Sequence, residues 1–269
     1  MSNEEQPVQP VPATWNFEYP SARKFGTILE LLSRVSNEDL VKLKITSDNV
    51  AVSQMDSAKA EFCNFILDKK AFKSYECTEP SDWTLRVAGI QKWLKTAQDE
   101  ESLSCSGSSA GPIHMERLGN PSGLGGKRRL IMPNSVSDIK SPSLKTVDPD
   151  NAFSTMTAHL LDFIGENPFS SELMTLKVAE DGLSVIYVGG NSSYAPTTIP
   201  YETREGFTVL RSKLGTDVGF DSTIVLDVVK PLSLLFSEIL VEFGNQTFMR
   251  LSAQDNNLSV KYIIGTKAK

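Results

Sequence analysis

Histidine is nearly absent from this sequence, with two in 269 residues, and cysteine is sparse, with three. His114 and His159 lie far apart, and neither has a Cys, Ser or Asp partner in an arrangement known for nucleophilic catalysis. Cys63, Cys77 and Cys105 show no metal-ligand spacing, and so small and odd a number suits a reducing compartment rather than a disulfide framework. No apolar run reaches the roughly 18 residues that a membrane span needs. No signal-peptide pattern is visible; residues 1–13 are polar, acidic and rich in Pro and Gln, which predicts a disordered tail. An excess of basic charge is missing too. The net charge of −6 argues against a general nucleic-acid coat, yet allows basic side chains gathered on one surface. The Gly-rich stretch Gly119–Gly126 before Lys127 fails as a phosphate-binding loop, because Pro121 stands where its first glycine is required and Arg128 where a Ser or Thr would reach Mg²⁺. Acidic residues are scattered, without a paired-carboxylate motif. No catalytic residue, metal or cofactor is expected, and the chain reads as a non-enzyme.

What is present is a repeat. Leu40–Asp56 and Leu173–Gly189 match at a constant offset of 133 residues: Leu40 with Leu173, Leu43 with Leu176, Lys44 with Lys177, Asp48 with Asp181, Val52 with Val185. Each copy alternates apolar and polar residues, as a half-buried strand does. Each breaks at Asp48-Asn49 or Asp181-Gly182, so each predicts a β-hairpin. A period of this length is a domain length, and it predicts two domains of one fold.

The rest of the chain falls into the same order twice. Trp15–Tyr19 predicts a strand and Ser21–Ser36 a helix with Ser21 as N-cap. Ala58–Leu67 and Phe72–Thr78 predict strands, Leu85–Ala97 a second helix, and Ser102–Ser106 and Ile113–Leu118 further strands. Leu130–Met132 reads as a strand end. Residues 133–149, with three prolines and little periodicity, predict an interdomain connector between domains at 14–132 and 150–269. In the second half, Ala152–Ile164 predicts a helix, Ala195–Tyr201 and Phe207–Leu214 strands, and Val228–Phe236 a helix with Pro231 in its first turn. Ile239–Phe243, Phe248–Ala253 and Leu258–Ile264 predict a closing meander. The fold class is α+β, two tandem domains with antiparallel sheets on one side and helices on the other.

Three segments carry a family resemblance. Ser53-Gln54-Met55-Asp56-Ser57 resembles a Gln-Ser-Met-Asp-Ser segment, Val260–Lys267 resembles Leu-Lys-Tyr-Tyr-Leu-Ala-Pro-Lys, and Phe163-Ile164-Gly165 resembles His-Ile-Gly. These belong, in their order along the chain, to sliding clamps of the proliferating cell nuclear antigen (PCNA) type, and the chain resembles a divergent member, viral or of a distant lineage. The resemblance implies tandem clamp (processivity-fold) domains whose helices line a ring around duplex DNA. It implies a homotrimer that tethers DNA polymerase and other replication and repair clients carrying clamp-binding peptides, is loaded by an ATP-dependent clamp loader, and works inside the cell at sites of replication, in the nucleus for a eukaryote or a nuclear virus and in the cytoplasm otherwise. By the same resemblance the DNA-facing residues are Arg23, Lys24, Arg34, Lys92, Lys95, His159 and Lys230, which would meet phosphates without reading sequence. Between Lys145 and Lys177 there is no Lys or Arg, so the third helix departs from the family's basic pattern.

The client-peptide pocket implied by the resemblance comprises Met55, Val136, Ile139, Ile263, Ile264, Gly265 and Thr266, although Met55 and Ile263 suit core packing equally well. Subunit contacts would pair a strand near Ile113 and Met115 with one near Ala195, Thr197 and Ile199. Pro196 and Pro200 would shorten that ladder. The alternative is a clamp-fold protein that is monomeric or a hetero-oligomer subunit, with a checkpoint-type or viral transcription role. The weakly basic third helix favours it.

Overall fold

The computed structural model describes residues 13–36, 38–108, 111–119, 128–133, 139, 142, 147–165, 173–180, 182–189, 192–200, 206–245 and 248–267, without the side chains of 165, 184–189 and 192–200. The tail at 1–12, the Gly-rich loop and most of the connector lie outside these residues. The first half contains β1 (Trp15–Tyr19), α1 (Ala22–Ser33), β2 (Leu40–Ile45), β3 (Asn49–Met55), β4 (Glu61–Asp68), β5 (Ser74–Cys77), β6 (Ser81–Arg86), α2 (Val87–Lys95), β7 (Ser102–Gly107), β8 (Ile113–Leu118) and β9 (Arg128–Met132). The second half contains β10 (Asn151–Met156), α3 (Thr157–Gly165), β11 (Leu173–Ala179), β12 (Gly182–Gly189), β13 (Ser192–Pro200), β14 (Phe207–Arg211), β15 (Asp217–Asp221), α4 (Ser222–Leu235), β16 (Glu238–Phe243), β17 (Phe248–Gln254) and β18 (Leu258–Gly265).

The two halves repeat strand for strand. One module has the order β5-β1-β7-β8-β9, and its counterpart is β14-β10-β16-β17-β18. The other is β4-β3-β2-β6, matched by β13-β12-β11-β15. Antiparallel pairing of β18 with β4, from Leu258↔Leu67 to Ile264↔Glu61, fuses one copy of each module into a nine-stranded sheet that joins the halves. The helices pack in the order α2-α1-α4-α3. Alternation on the strands and the apolar stripes of the helices meet in a core that includes Trp15, Phe25, Trp83, Val228 and Tyr262. Close approach of α1 to α2 depends on Gly26, where a Cβ would lie 3.0 Å from Leu94 Cβ.

Several element boundaries correct the sequence expectations. Residues 151–156 form a strand and only Thr157 onward is helical, because Phe153 and Thr155 face the core while Ser154 and Met156 face out. The apolar residues at 153, 156, 160 and 163 mimic one helical stripe across that strand-to-helix switch. The same switch occurs at Arg86/Val87, inside the helix expected from Leu85. Helix α4 begins at Ser222, so Pro231 is interior rather than in the first turn. It removes the helical donor to the Asp227 carbonyl. The first hairpin closes one residue earlier than expected, with Thr46 bonded to Asn49. Helix α1 does begin after Ser21, whose Oγ accepts the Lys24 N–H at 3.1 Å.

Candidate nucleic-acid interface

Helix α1 presents Arg23, Thr27, Glu30 and Arg34 along one face, at spacings of four, three and four residues. Arg23 reaches Asp99 at 2.8 Å, beyond the end of α2. Glu30 receives Lys95 of α2 at 2.9 Å. Lys92 lies one turn before Lys95 and is exposed, as is Lys230 on α4, while Lys24 is half-buried. None of these three has an ion pair among the described residues. Helix α3 shows Ala158, His159 and Asp162 to solvent, and His159 lies beside Gly206, where a Cβ would approach its Nδ1 to 3.0 Å. Helix α4 shows Thr223, Lys230 and Leu234. Five of the six basic residues expected on this surface, all but Lys230, therefore come from the first half of the chain.

Arg34 differs from the expectation. Its guanidinium is half-buried where the halves meet and donates to Glu61 of β4 at 3.2 Å and to Asp227 of α4 at 3.4 Å. Glu61 in turn accepts the Tyr262 hydroxyl of β18 at 2.6 Å. Burial pushes the Glu61 carboxyl up, and the bonds from Tyr262 and Arg34 only partly reverse it. Burial works against the Arg34 charge, but Glu61 outweighs it and leaves its pKa raised. Arg34 thus bridges the two halves instead of standing free for a phosphate. Residue-spacing rules could not find this, because Glu61, Tyr262 and Asp227 come from three distant segments.

Helix α2 is also held from a distance. At its start the backbone carbonyl and side chain of Asp39 accept the N–H groups of Val87 (3.0 Å) and Ala88 (2.9 Å). At its end Arg117 of β8 donates to the carbonyls of Trp93 (3.1 Å) and Thr96 (3.0 Å) and to Thr96 Oγ1 (2.9 Å). Arg117 is ion-paired with Glu101, and their side chains are only 1% and 4% exposed. Burial alone would push the Glu101 carboxyl up, but Arg117 and the Gln98 N–H leave it lowered. The Glu101 carbonyl also accepts the first amide of α1, Ala22 N–H, at 2.7 Å. One buried pair thereby fixes the α2 end that carries Lys92 and Lys95.

Among the pocket residues, Met55 and Ile263 both lie opposite Phe62, so the three form one row across β3, β4 and β18. Phe62 was missed in the sequence because its neighbours gave it no distinguishing pattern. Ile264 lies opposite Glu61 on the other face and is 1% exposed, which removes it from any surface pocket. Gly265 donates to the Ala60 carbonyl at 2.7 Å, and a Cβ there would come within 3.2 Å of that oxygen. Asp56 shapes the same loop by accepting Ala60 and Glu61 N–H at 2.8 and 2.7 Å. Thr266 is exposed and Ile139 half-buried, while Val136 lies outside the described residues.

The expected edge strand is also corrected. β8 is paired with β7 on one side and β9 on the other, and Ile113 and Met115 point into the core. The open edge of that module is β9, with Ile131 61% exposed. A long Gly-rich loop hid the β8–β9 hairpin in the sequence. At the opposite module the open edge is β13, which holds Ala195, Thr197 and Ile199; their side chains lie outside the described part. Pro196 falls where the β12–β13 register shifts, the place in a ladder that tolerates a missing N–H.

Among the described residues, two copies of each module, joined through a shared sheet and packed with four helices, make an α+β clamp-type fold. The particular fold is that of PCNA. The chain superposes on PCNA from Entamoeba histolytica with a TM-score of 0.81 at 13% identity, covering 96% of this chain and 100% of that one. PCNA from Thermococcus kodakaraensis gives 0.81 at 14% identity, covering 94% and 100%. A structure of the PCNA2–PCNA3 complex from Sulfolobus tokodaii gives 0.79 at 19% identity, covering 94% and 100%. No family model and no curated sequence matches the chain. Among the described residues no helix is long and apolar enough to cross a membrane, and no cluster suited to a metal ion occurs.

Proposed function

We propose that this chain is a DNA sliding clamp, a non-catalytic ring that encircles duplex DNA and tethers polymerase and other peptide-bearing clients. Each repeat acts as one domain, with the connector between them. The observation that carries the proposal is the pairing left unmade. Within the chain, β18 of one five-stranded module joins β4 of a four-stranded module. Among the described residues the other copy of each module ends in an open edge, β9 and β13. The same junction made between chains pairs β9 of one copy with β13 of the next, a head-to-tail contact that closes into a ring when its rotation permits. The likeness to PCNA supports reading it as a homotrimer, loaded by an ATP-dependent clamp loader at replication sites. Lys24, Lys92 and Lys230 then face the phosphates, with Arg23 and Lys95 nearby, and the Met55–Phe62–Ile263 row receives client peptides.

Native mass by light scattering across a dilution series tests the ring. The expected result is a trimer that Ile131→Asp converts to monomer without changing its fold, since a charge on the open edge opposes strand addition. A monomeric wild type refutes self-closure. It would favour the second reading, a monomeric or hetero-oligomeric clamp, which the absence of Lys and Arg from α3 supports.

A further inference from the structure

The solvent face of the helix layer carries acids among its bases in alternating order. Lys95 of α2 holds Glu30 of α1 at 2.9 Å, and four residues on from Glu30 stands Arg34. Arg34 reaches Asp227 of α4 at 3.4 Å, and three residues on from Asp227 stands Lys230. The row across three helices is plus, minus, plus, minus, plus. At the far end of α1, Arg23 holds Asp99 at 2.8 Å. Three of the six basic residues assigned to the DNA face therefore already have a carboxylate.

We infer that Glu30 and Asp99 are built-in competitors for the phosphates of duplex DNA, occupying Lys95 and Arg23 and keeping the clamp's grip weak. The inference rests on the sliding-clamp proposal and adds the residues that regulate its hold. Phosphate binding draws its strength from counterions released when a cation neutralises a phosphate. A cation already neutralised by its own protein contributes less of that release. Both pairs are exposed, with 58% and 78% for Arg23 and Asp99 and 50% and 37% for Lys95 and Glu30. Exposed pairs of this kind are weak and screened by salt. DNA can displace them, but must do so each time the clamp steps along. A face that holds its own charges lightly thus exchanges phosphates readily. Asp227 belongs to the same row, yet its partner Arg34 also holds the junction through Glu61, so Asp227 is left out of the test.

The test compares the full chain with Glu30→Gln/Asp99→Asn by fluorescence anisotropy on a short labelled duplex, from low to physiological ionic strength. Asp48→Asn serves as the control, because Asp48 holds Lys69 at 2.9 Å in the β2–β3 turn. Native mass and urea midpoint confirm that each variant keeps its assembly and fold. The expected result is tighter binding by the double variant at low salt. Its slope of log affinity against log salt should steepen by up to about 0.9 for each released cation. The control should match the wild type. If the wild type binds duplex and the double variant binds no better, the competitor role is overturned while the clamp proposal stands. If neither binds at low salt, both fall. If only the double variant binds, the competitor role holds in its strongest form.

Discussion

Replacing Arg117 by Met should destabilise the protein more than any single change on its surface. Arg117 and Glu101 are almost fully buried, and Arg117 also satisfies the carbonyls of Trp93 and Thr96 at the end of α2. Arg117→Met removes the cation from a buried carboxylate and a donor from the Trp93 and Thr96 carbonyls, of which Trp93 keeps only its bonds from Thr96. Breaking a buried pair on one side costs about 3–5 kcal/mol, a large share of the roughly 5–15 kcal/mol that holds a domain folded. The double change Arg117→Met/Glu101→Leu removes the stranded charge as well. It should regain much of that loss, since apolar replacement of both partners is often neutral. The pH dependence gives a second check. In the wild type the lowered Glu101 carboxyl contributes stability that is present above its unfolded value and lost as pH falls through its folded value. In Arg117→Met, burial without a cation raises that carboxyl instead, so stability is lost as pH rises. The difference between wild type and variant should therefore widen from acid to neutral pH. Urea titration followed by tryptophan fluorescence measures both effects. A double variant no more stable than Arg117→Met, or a difference that is flat with pH, would refute the assignment of the cost to an uncompensated charge.

Gly26→Ala places a Cβ at 3.0 Å from Leu94 Cβ and 3.5 Å from the Leu94 backbone carbon of the facing helix. Overpacking of about 1–3 kcal/mol should exceed the ~1 kcal/mol gained in helix propensity, and the urea midpoint should fall; an equal or higher midpoint would show that α1 and α2 separate freely. Asp221→Ala removes the acceptor for the Thr223 and Ile224 N–H groups at the start of α4 and the partner of Lys267. It should cost about 0.5–2 kcal/mol, measurable in the same titration, and no loss would rule out Asp221 as the cap. Glu61→Gln tests the junction. The raised Glu61 carboxyl favours the fold below its unfolded value, and that contribution disappears as pH rises through its folded value. The variant, which does not titrate, should gain on the wild type as pH rises through that window, and parallel stability curves would contradict the raised pKa.

The repeat, the hairpins, the α1 cap and the closing meander could be read from the chain, because each depends on residues close in sequence. Alternation, helical spacing and a Ser before a helix are local features. The boundary between β10 and α3 could not, since Phe153, Met156, Leu160 and Phe163 satisfy a helical stripe equally well. The three-segment resemblance led to the PCNA fold at a level of identity where no family model and no curated sequence matches. It also placed the basic side chains on α1, α2 and α4. What each side chain does there depended on partners brought from elsewhere. Arg34 became a junction residue through Glu61 and Asp227, and Arg117 a helix cap through α2. The open edges at β9 and β13 exist only once strands find their neighbours. The sequence by itself determined the repeat, the hairpins, the α1 cap and the closing meander, whose energetics are local. The tertiary structure alone decided which charges are spent on partners inside the protein and which stay exposed on its helices, because electrostatic pairing depends on distance in space and on burial.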